Sequence, residues 1–426
     1  MRLGRSVFLL ALLAAGVQPA AAQNYDARAK ALLAGAKFKA AKAKLAADYD
    51  RTVADIIKLT ETEAPPFKEE KRAALFKQML AAEGLTDLTT DAEGNVYGTM
   101  KGTGPSGPVF VVTAHLDTVF PAGTDVTVKR EGNKLKAPGI GDDTVSLPVI
   151  LAFVRAMKAA GFTPTTDIVF MGNVGEEGPG DLRGMRYLFN KGALKDRIKY
   201  FISFEPGRGD RITNAGAGSK RYKVTFTGPG GHSMGDFGIV SPAYAMGDAI
   251  VQFGKMKVPT QPRTVFNVGI VEGGTSVNSI PFAMSMTVDM RSAGKAELDA
   301  EEKEFLAILP RAVATENAAR SIAKGKVAYE AKLIGDRPVG SVAMDADIMR
   351  MALAVRKAAG ITPKFGTGSS DSNIPWSMNK QAITLGSGFQ SYGSHSLDEY
   401  IVLDRPKDIE NMAIGLATVL LIAGAK

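Results

Sequence analysis

The sequence has no cysteine, one tryptophan and three histidines in 426 residues. Without cysteine the fold can use no disulfide, no lipid can be attached through a thiol, and any metal site must be assembled from His, Asp and Glu. A chain of this length buries enough surface to do without such staples and is long enough for two domains. Beyond the N-terminal segment there is no apolar run long enough to span a bilayer. Nucleic-acid motifs are missing too, so the net charge of +8 is not read as a sign of DNA or RNA binding. Between Asn24 and Tyr49 six basic residues face two acidic ones, which puts +4 on one Ala/Lys-rich helix. That excess reads as a solvated face in preference to a binding patch. What is present is globular: 45% hydrophobic and 23% charged, with 46 glycines to supply the turns of an α/β protein with many connections.

Arg2 and Arg5 precede an apolar core from Val7 to Val17, and Ala20, Ala21 and Ala22 form an A-x-A site. A signal peptide over 1–22, cleaved after Ala22, is therefore expected. A membrane anchor is the alternative, disfavoured by the short apolar core and the small-residue site that follows it. The mature protein, with a charge of +6 once Arg2 and Arg5 are gone, is then expected in a bacterial periplasm or outside the cell, free of the membrane.

Periodicity predicts helices over 25–60, 69–83 and 147–160 and strands over 96–100, 109–114, 168–174 and 200–204. Strands alternating with helices imply a mostly parallel α/β sheet. From about Gly216 the texture changes to three strands (222–227, 265–271, 283–290) and two helices (242–256, 297–309), the pattern of a small α+β sandwich. The α/β pattern resumes near Arg337 with a helix over 343–359, a strand over 382–385 and a helix over 408–423. The expected organisation is thus an α/β domain in two parts, 23–215 and 337–426, with 216–336 inserted between them.

Ligands of parallel α/β sheets gather beyond the carboxyl ends of the strands. In VVTAHLDTVF, His115 and Asp117 stand where an apolar strand stops. Asp142 and Asp143 occupy a glycine-flanked turn before a helix, Glu176 and Glu177 follow the strand ending near Val174, Glu205 follows another apolar run, and His395 follows a short strand and a glycine turn. Singly each has a bland reading: a structural histidine, a helix N-cap aspartate. Adjacent carboxylates repel unless a cation sits near them. Together the set suits a metal site of mixed His and carboxylate ligands.

His-Leu-Asp-Thr-Val from 115, Gly-Asp-Asp from 141, Glu-Glu-Gly from 176, Phe-Glu-Pro from 204 and His-Ser-x-x-Glu from 395 resemble, in order and interval, the two-zinc exopeptidases of the clan MH metallopeptidases. That family includes bacterial glutamate carboxypeptidase, aminoacylase and succinyl-diaminopimelate desuccinylase. The resemblance covers nearly the whole mature chain and implies two Zn2+ per chain, other divalent metals being possible. It assigns His115 and Glu205 to one ion, His395 and Glu177 to the other, and Asp142 to both. It also implies that Asp117 hydrogen-bonds the His115 ring and that Glu176 is the general base. The family often has Lys-Gly after the paired acids, whereas Thr144, Val145 and Ser146 stand here, which leaves the start of the next helix open.

The third histidine, His232, lies in the glycine loop FTGPGGHSMGDFG. On its own it reads as a loop-stabilising residue. The resemblance implies that it reaches the active site of a partner subunit in a homodimer and stabilises the developing oxyanion there. Asn278 and Arg291 resemble the family's Asn-x-Ile-Pro and Asp-x-Arg pair near the substrate; a surface strand pair is the alternative. Arg337, in LIGDRPVG, resembles the arginine that holds a substrate's free α-carboxylate, a job suited to a guanidinium's two parallel hydrogen bonds. Arg211 falls where glutamate carboxypeptidase has a lysine facing an acidic side chain, with an ordinary surface arginine as its plain reading. The loop KFGTGSSDSNIPW is expected to line the cleft through backbone groups and Ser370, Asp371 or Asn373.

The leading expectation is a metal-dependent carboxypeptidase that releases C-terminal Glu or Asp from acidic peptides, N-acyl glutamates, folate-like conjugates or poly-aspartate oligomers. An aminoacylase or aminopeptidase of the same family is the second reading. An exported binding protein without catalysis is the third, disfavoured because Glu176 and all five ligand positions are intact.

Overall fold

The computed structural model describes residues 24–426, so the expected signal segment and its cleavage site lie outside the described residues. Among the described residues no helix is long and apolar enough to cross a membrane.

The central sheet runs in the order Thr86–Thr90, Val96–Met100, Asp167–Asn173, Val109–His115, Ile198–Glu205, Gln381–Gly386, Arg211–Gly216, Gly340–Ser341, with Lys364–Gly368 also paired to Arg211–Gly216. Its middle is parallel: Val109–His115 pairs in parallel with Asp167–Asn173 on one side and Ile198–Glu205 on the other, and Gln381–Gly386 pairs in parallel with Ile198–Glu205. Every residue of Val109–His115 is buried, as expected of a strand covered on both faces. His115 lies opposite Asn173, so the segments leaving these strands emerge at one edge. The helix Ser146–Ala159 is almost wholly buried, its Phe153 edge-on to Phe204 at a centroid distance of 5.4 Å.

Residues 218–337 build a second, four-stranded antiparallel sheet in the order Thr264–Gly273, Ala283–Ser292, Gly218–Thr227, Ala328–Arg337. Helices Pro242–Gly254 and Lys295–Ala319 pack against it around a separate core that includes Phe226, Phe253, Met290 and Phe305. A small sheet of Gln390–Tyr392, Tyr400–Val402, Lys134–Lys136 and Lys129–Glu131 sets the hairpin carrying His395 beside the turn carrying Asp142.

Three local expectations are corrected. The helix expected over 25–60 is three helices, Tyr25–Ala34, Ala36–Ala47 and Tyr49–Thr60, broken at Gly35 and Asp48. The sandwich has a fourth strand, Ala328–Arg337, whose Ala, Glu, Lys and Leu are good helix formers; the ladder to Gly218–Thr227 overrides that local preference. The helix expected to stop at 309 runs on through Pro310 to Ala319, because Leu309 and Ala312 remain buried on the sheet.

Candidate metal centre

The central sheet and the second lobe enclose a cleft of about 940 Å3 whose walls include Asp142, Glu176, Glu177, Glu205, Arg211, Arg291, Arg337 and His395. Asp142 stands between two histidines: its Oδ1 is 3.2 Å from His115 Nε2 and its Oδ2 is 3.4 Å from His395 Nε2. His395 Nε2 is also 2.8 Å from Glu177 Oε1. Two sets of donor atoms each gather within 4.8 Å of one another: His115, Asp142 and Glu177, and His115, Asp143 and Glu205.

The second set gives Asp143 a place that sequence reasoning did not. Its Oδ2 accepts the His115 backbone N–H at 3.2 Å, while its Oδ1 is buried without a hydrogen-bond partner among the described residues. Asp143 was visible in the Gly-Asp-Asp motif, but its facing toward Glu205 depends on the shape of the turn. That turn, Ile140–Thr144, is closed by the Thr144 hydroxyl, which donates to the Gly139 carbonyl at 2.6 Å and accepts from the buried Arg72 at 2.9 Å. The departure from Lys-Gly thus does not delay the helix, which begins at Ser146.

Asp117 is fully buried, but its expected hydrogen bond to the His115 ring is made differently. His115 Nδ1 faces the Asp117 backbone carbonyl at 3.0 Å, with the carboxylate at 3.6 Å. The carboxylate instead accepts the backbone N–H groups of Glu176 at 3.0 Å and Glu177 at 2.8 Å. One aspartate thus orients the histidine by its backbone and fixes the Glu176–Glu177 loop by its side chain. Gly175, in that loop, has φ 67° and no room for a side chain: a Cβ would lie 2.4 Å from Arg183 Cγ.

The site carries more negative charge than its own cations offset. Burial pushes Glu176 up to about 8, against the pull of Arg337. Burial, then the charge of Asp143, pushes Glu205 well above the carboxylate range. Hydrogen bonds that its ring donates to the Asp142 and Glu177 carboxylates raise His395 to about 10. Burial works to lower His115, but contacts with Asp117 and Asp142 hold it well above the usual histidine value. A buried cluster of carboxylates around two histidines, with an orphaned oxygen on Asp143, is the donor set that divalent cations satisfy.

The remaining predicted residues divide. Arg337 is buried and bonded to Glu176 and to Ser369 Oγ. Arg211 lies in the cleft wall, its Nη1 donating to the Pro206 carbonyl at 3.2 Å. Arg291 also lines the cleft and shares Asp289 with Arg221, at 2.6 and 3.0 Å. His232 and Asn278 do not line this chain's cleft; both are exposed, on two segments joined by the pairing of Gly231–His232 with Ser279–Ile280, where Ser233 N donates to the Asn278 carbonyl at 3.0 Å. Asp371 is buried behind the cleft, accepting from Asn173 Nδ2 at 2.8 Å. Asn373 ties the loop to the Ala217 and Pro338 carbonyls.

A parallel α/β sheet with paired donor sets at its carboxyl edge and an inserted antiparallel lobe defines the class of dinuclear metallopeptidase folds. The chain belongs to peptidase family M20/M25/M40, whose family model matches residues 111–422. It is 28% identical to carboxypeptidase G2 of Pseudomonas sp. (strain RS-16) over 216 residues, 49% of this chain and 50% of that one, so the match spans about half of the relative's length. Among solved structures, aminopeptidase PepT from Bacillus cereus ATCC 10987 superposes with a TM-score of 0.69 at 19% identity, covering 88% of this chain and 98% of that one. A dinuclear metal binding peptidase of the M20 family from Bacillus subtilis superposes with a TM-score of 0.62 at 17% identity, covering 88% and 99%.

Proposed function

We propose that the protein is an exported, zinc-dependent exopeptidase of the carboxypeptidase type that hydrolyses the amide bond next to a C-terminal Glu or Asp. The observation that carries the reading is the position of Asp142 between His115 and His395 in a cleft that also contains Glu176, Arg211 and Arg337. The 28% identity to a protein named as a carboxypeptidase favours the same class of reaction.

His115, Asp142, Asp143, Glu177, Glu205 and His395 would hold the metal pair. When bound, the ions supply Lewis-acid polarisation of the scissile carbonyl and a lowered water pKa. Glu176 accepts the proton of the attacking water and delivers it to the leaving amine nitrogen. Arg337 grips the terminal carboxylate by two parallel N–H bonds, and Arg211 meets the acidic side chain. Arg291 faces the substrate from the second lobe.

His232, exposed and outside its own chain's cleft, serves the partner subunit's site in a homodimer. The exposed Val265, Ile270 and Val271 on the outer strand Thr264–Gly273 favour an interface there. The leader with Arg2, Arg5 and the A-x-A site supports export.

The test is to incubate metal-loaded protein with a panel of N-acyl amino acids and dipeptides. Release of C-terminal Glu and Asp ahead of Leu or Ala, abolished by chelation, is the expected result. Hydrolysis of none of the panel overturns the reading, and equal rates across side chains replace it with aminoacylase-like breadth.

A further inference from the structure

Glu399 closes the His-Ser-x-x-Glu motif and is fully buried. No lysine, arginine or histidine pairs with it among the described residues. Its partners are backbone amides of the turn that carries Asp142: Oε1 accepts from Gly141 N at 2.9 Å and Asp142 N at 2.8 Å, and Oε2 accepts from Gly139 N at 2.9 Å. Ser391 Oγ adds a longer contact to Oε1 at 3.4 Å. A buried carboxylate is costly unless hydrogen-bonded, and three charge-assisted bonds at these lengths satisfy it.

The turn is shaped to receive this carboxylate. Gly139 has φ 73°, in the left-handed region, and a Cβ on Gly141 would lie 1.9 Å from Ser391 Oγ and 2.8 Å from Glu399 Oε1. The two segments are far apart in sequence but joined again by the Ala137 N–H, which donates to the Glu399 carbonyl at 3.1 Å. The same hairpin carries His395, four residues earlier. Two groups that converge on one point, the Asp142 carboxylate and the His395 ring, are therefore placed relative to each other by the junction of turn and hairpin, in which the Glu399 carboxylate accepts three of the hydrogen bonds.

We propose that Glu399 is the positioning residue of the metal bridge: it fixes the backbone of Asp142 so that each carboxylate oxygen faces one histidine, and it locks that aspartate to the hairpin that supplies His395. Glu399 touches neither substrate nor ion in this role. Residues that orient ligands in this way are worth about 10- to 100-fold in metal affinity.

The test is metal binding to purified full-length protein, read by competition of Zn2+ with a chromophoric chelator. Glu399→Gln keeps the size but leaves one acceptor oxygen where three amides need two. Glu399→Asp keeps the charge but shortens the reach, and serves as the second variant should the first fail to fold. The expected result is a roughly 10- to 100-fold weaker affinity for at least one of the two ions, milder in Glu399→Asp, with the melting temperature of the metal-free protein near wild type. Wild-type affinity for both ions in either folded variant overturns the proposal. So does an affinity loss matched by collapse of the metal-free melting temperature, which would make Glu399 a residue of fold stability. The proposal rests on the metal-pair reading of the site. Failure of that reading is distinguishable, because the wild-type protein itself would then bind no ions.

Discussion

Arg337 holds Glu176 by both its side chain and its backbone: Nη1 donates to Glu176 Oε1 at 3.0 Å and Nη2 donates to the Glu176 carbonyl oxygen. Arg337 ends the last strand of the second lobe, and Glu176 lies in the loop after a central strand, so this pair also ties the two lobes together. A substrate carboxylate that takes the two Nη groups of Arg337 in parallel competes with Glu176 for the same donors. Arg337→Ala should therefore lower kcat/KM for substrates with a free C-terminal carboxylate by about ten- to a hundredfold. Arg337→Lys should restore little of it, because an ammonium lacks the planar fork. Steady-state kinetics on paired carboxylate and carboxamide substrates check this; equal losses on both would remove the carboxylate role.

Glu176 belongs to neither donor set, although it adjoins Glu177. Glu176→Gln should reduce turnover by at least ~10²-fold while the bound metal, measured by elemental analysis, stays at the wild-type level. Surviving turnover would leave Glu176 as a structural acid. In the wild-type protein chelation should abolish activity, and metal at a hundredfold its Kd should stabilise the fold by about 2.7 kcal/mol, visible as a higher melting temperature.

Arg211 lines the cleft with its Nη1 spent on the Pro206 carbonyl, which leaves other N–H groups for a ligand. Arg211→Ala should lower kcat/KM for N-acyl-Glu by about ten- to a hundredfold and leave N-acyl-Leu nearly unchanged. The quantity to measure is the Glu/Leu ratio in both proteins. A high ratio that survives the substitution moves the acidic preference to another residue.

His232 donates its backbone N–H to Asp236 at 2.9 Å, and its Nδ1 accepts from the Met234 and Gly235 amides at 3.2 Å, which leaves Nε2 as the outward donor. If it serves a partner's site, inactive His232→Ala and Glu176→Gln proteins should regain activity when dissociated together and re-assembled. Random pairing gives roughly a quarter of wild-type activity, since half the dimers carry one intact site of two. No recovery, or a fully active monomer in sedimentation, defeats the trans role.

Glu301, in helix Lys295–Ala319, is buried with both carboxylate oxygens unpartnered among the described residues. Burial, aided by the charge of Asp289, pushes it from 4.5 up to about 8. The folded state therefore binds the proton more tightly than the unfolded chain. Its contribution to stability is fully present below about 4.5 and is lost as pH rises through about 8. The slope is at most about 1.4 kcal/mol per pH unit. Glu301→Gln should flatten that loss and raise the melting temperature at pH 8–9, with little effect at low pH; an unchanged pH–stability curve would contradict it.

The parallel α/β core, the inserted antiparallel lobe and the strand ends at which His115, Asp142, Glu177, Glu205 and His395 stand were legible in the order of the amino acids. Those features are local: apolar runs that stop at a polar residue, glycines at turns, a change from a period of 3.6 to one of 2. Which group each side chain meets follows instead from long-range folding. Asp143 stands with Glu205, the Asp117 carboxylate serves the Glu176–Glu177 amides, and Arg337 holds Glu176. The strand Ala328–Arg337 likewise exists because a neighbour offers it a ladder, against the helical leaning of its residues. Partner choice among several buried acids depends on how loops from distant parts of the chain pack against one another. Burial and periodicity encode the depth of a residue and leave its partner to the packing of the whole.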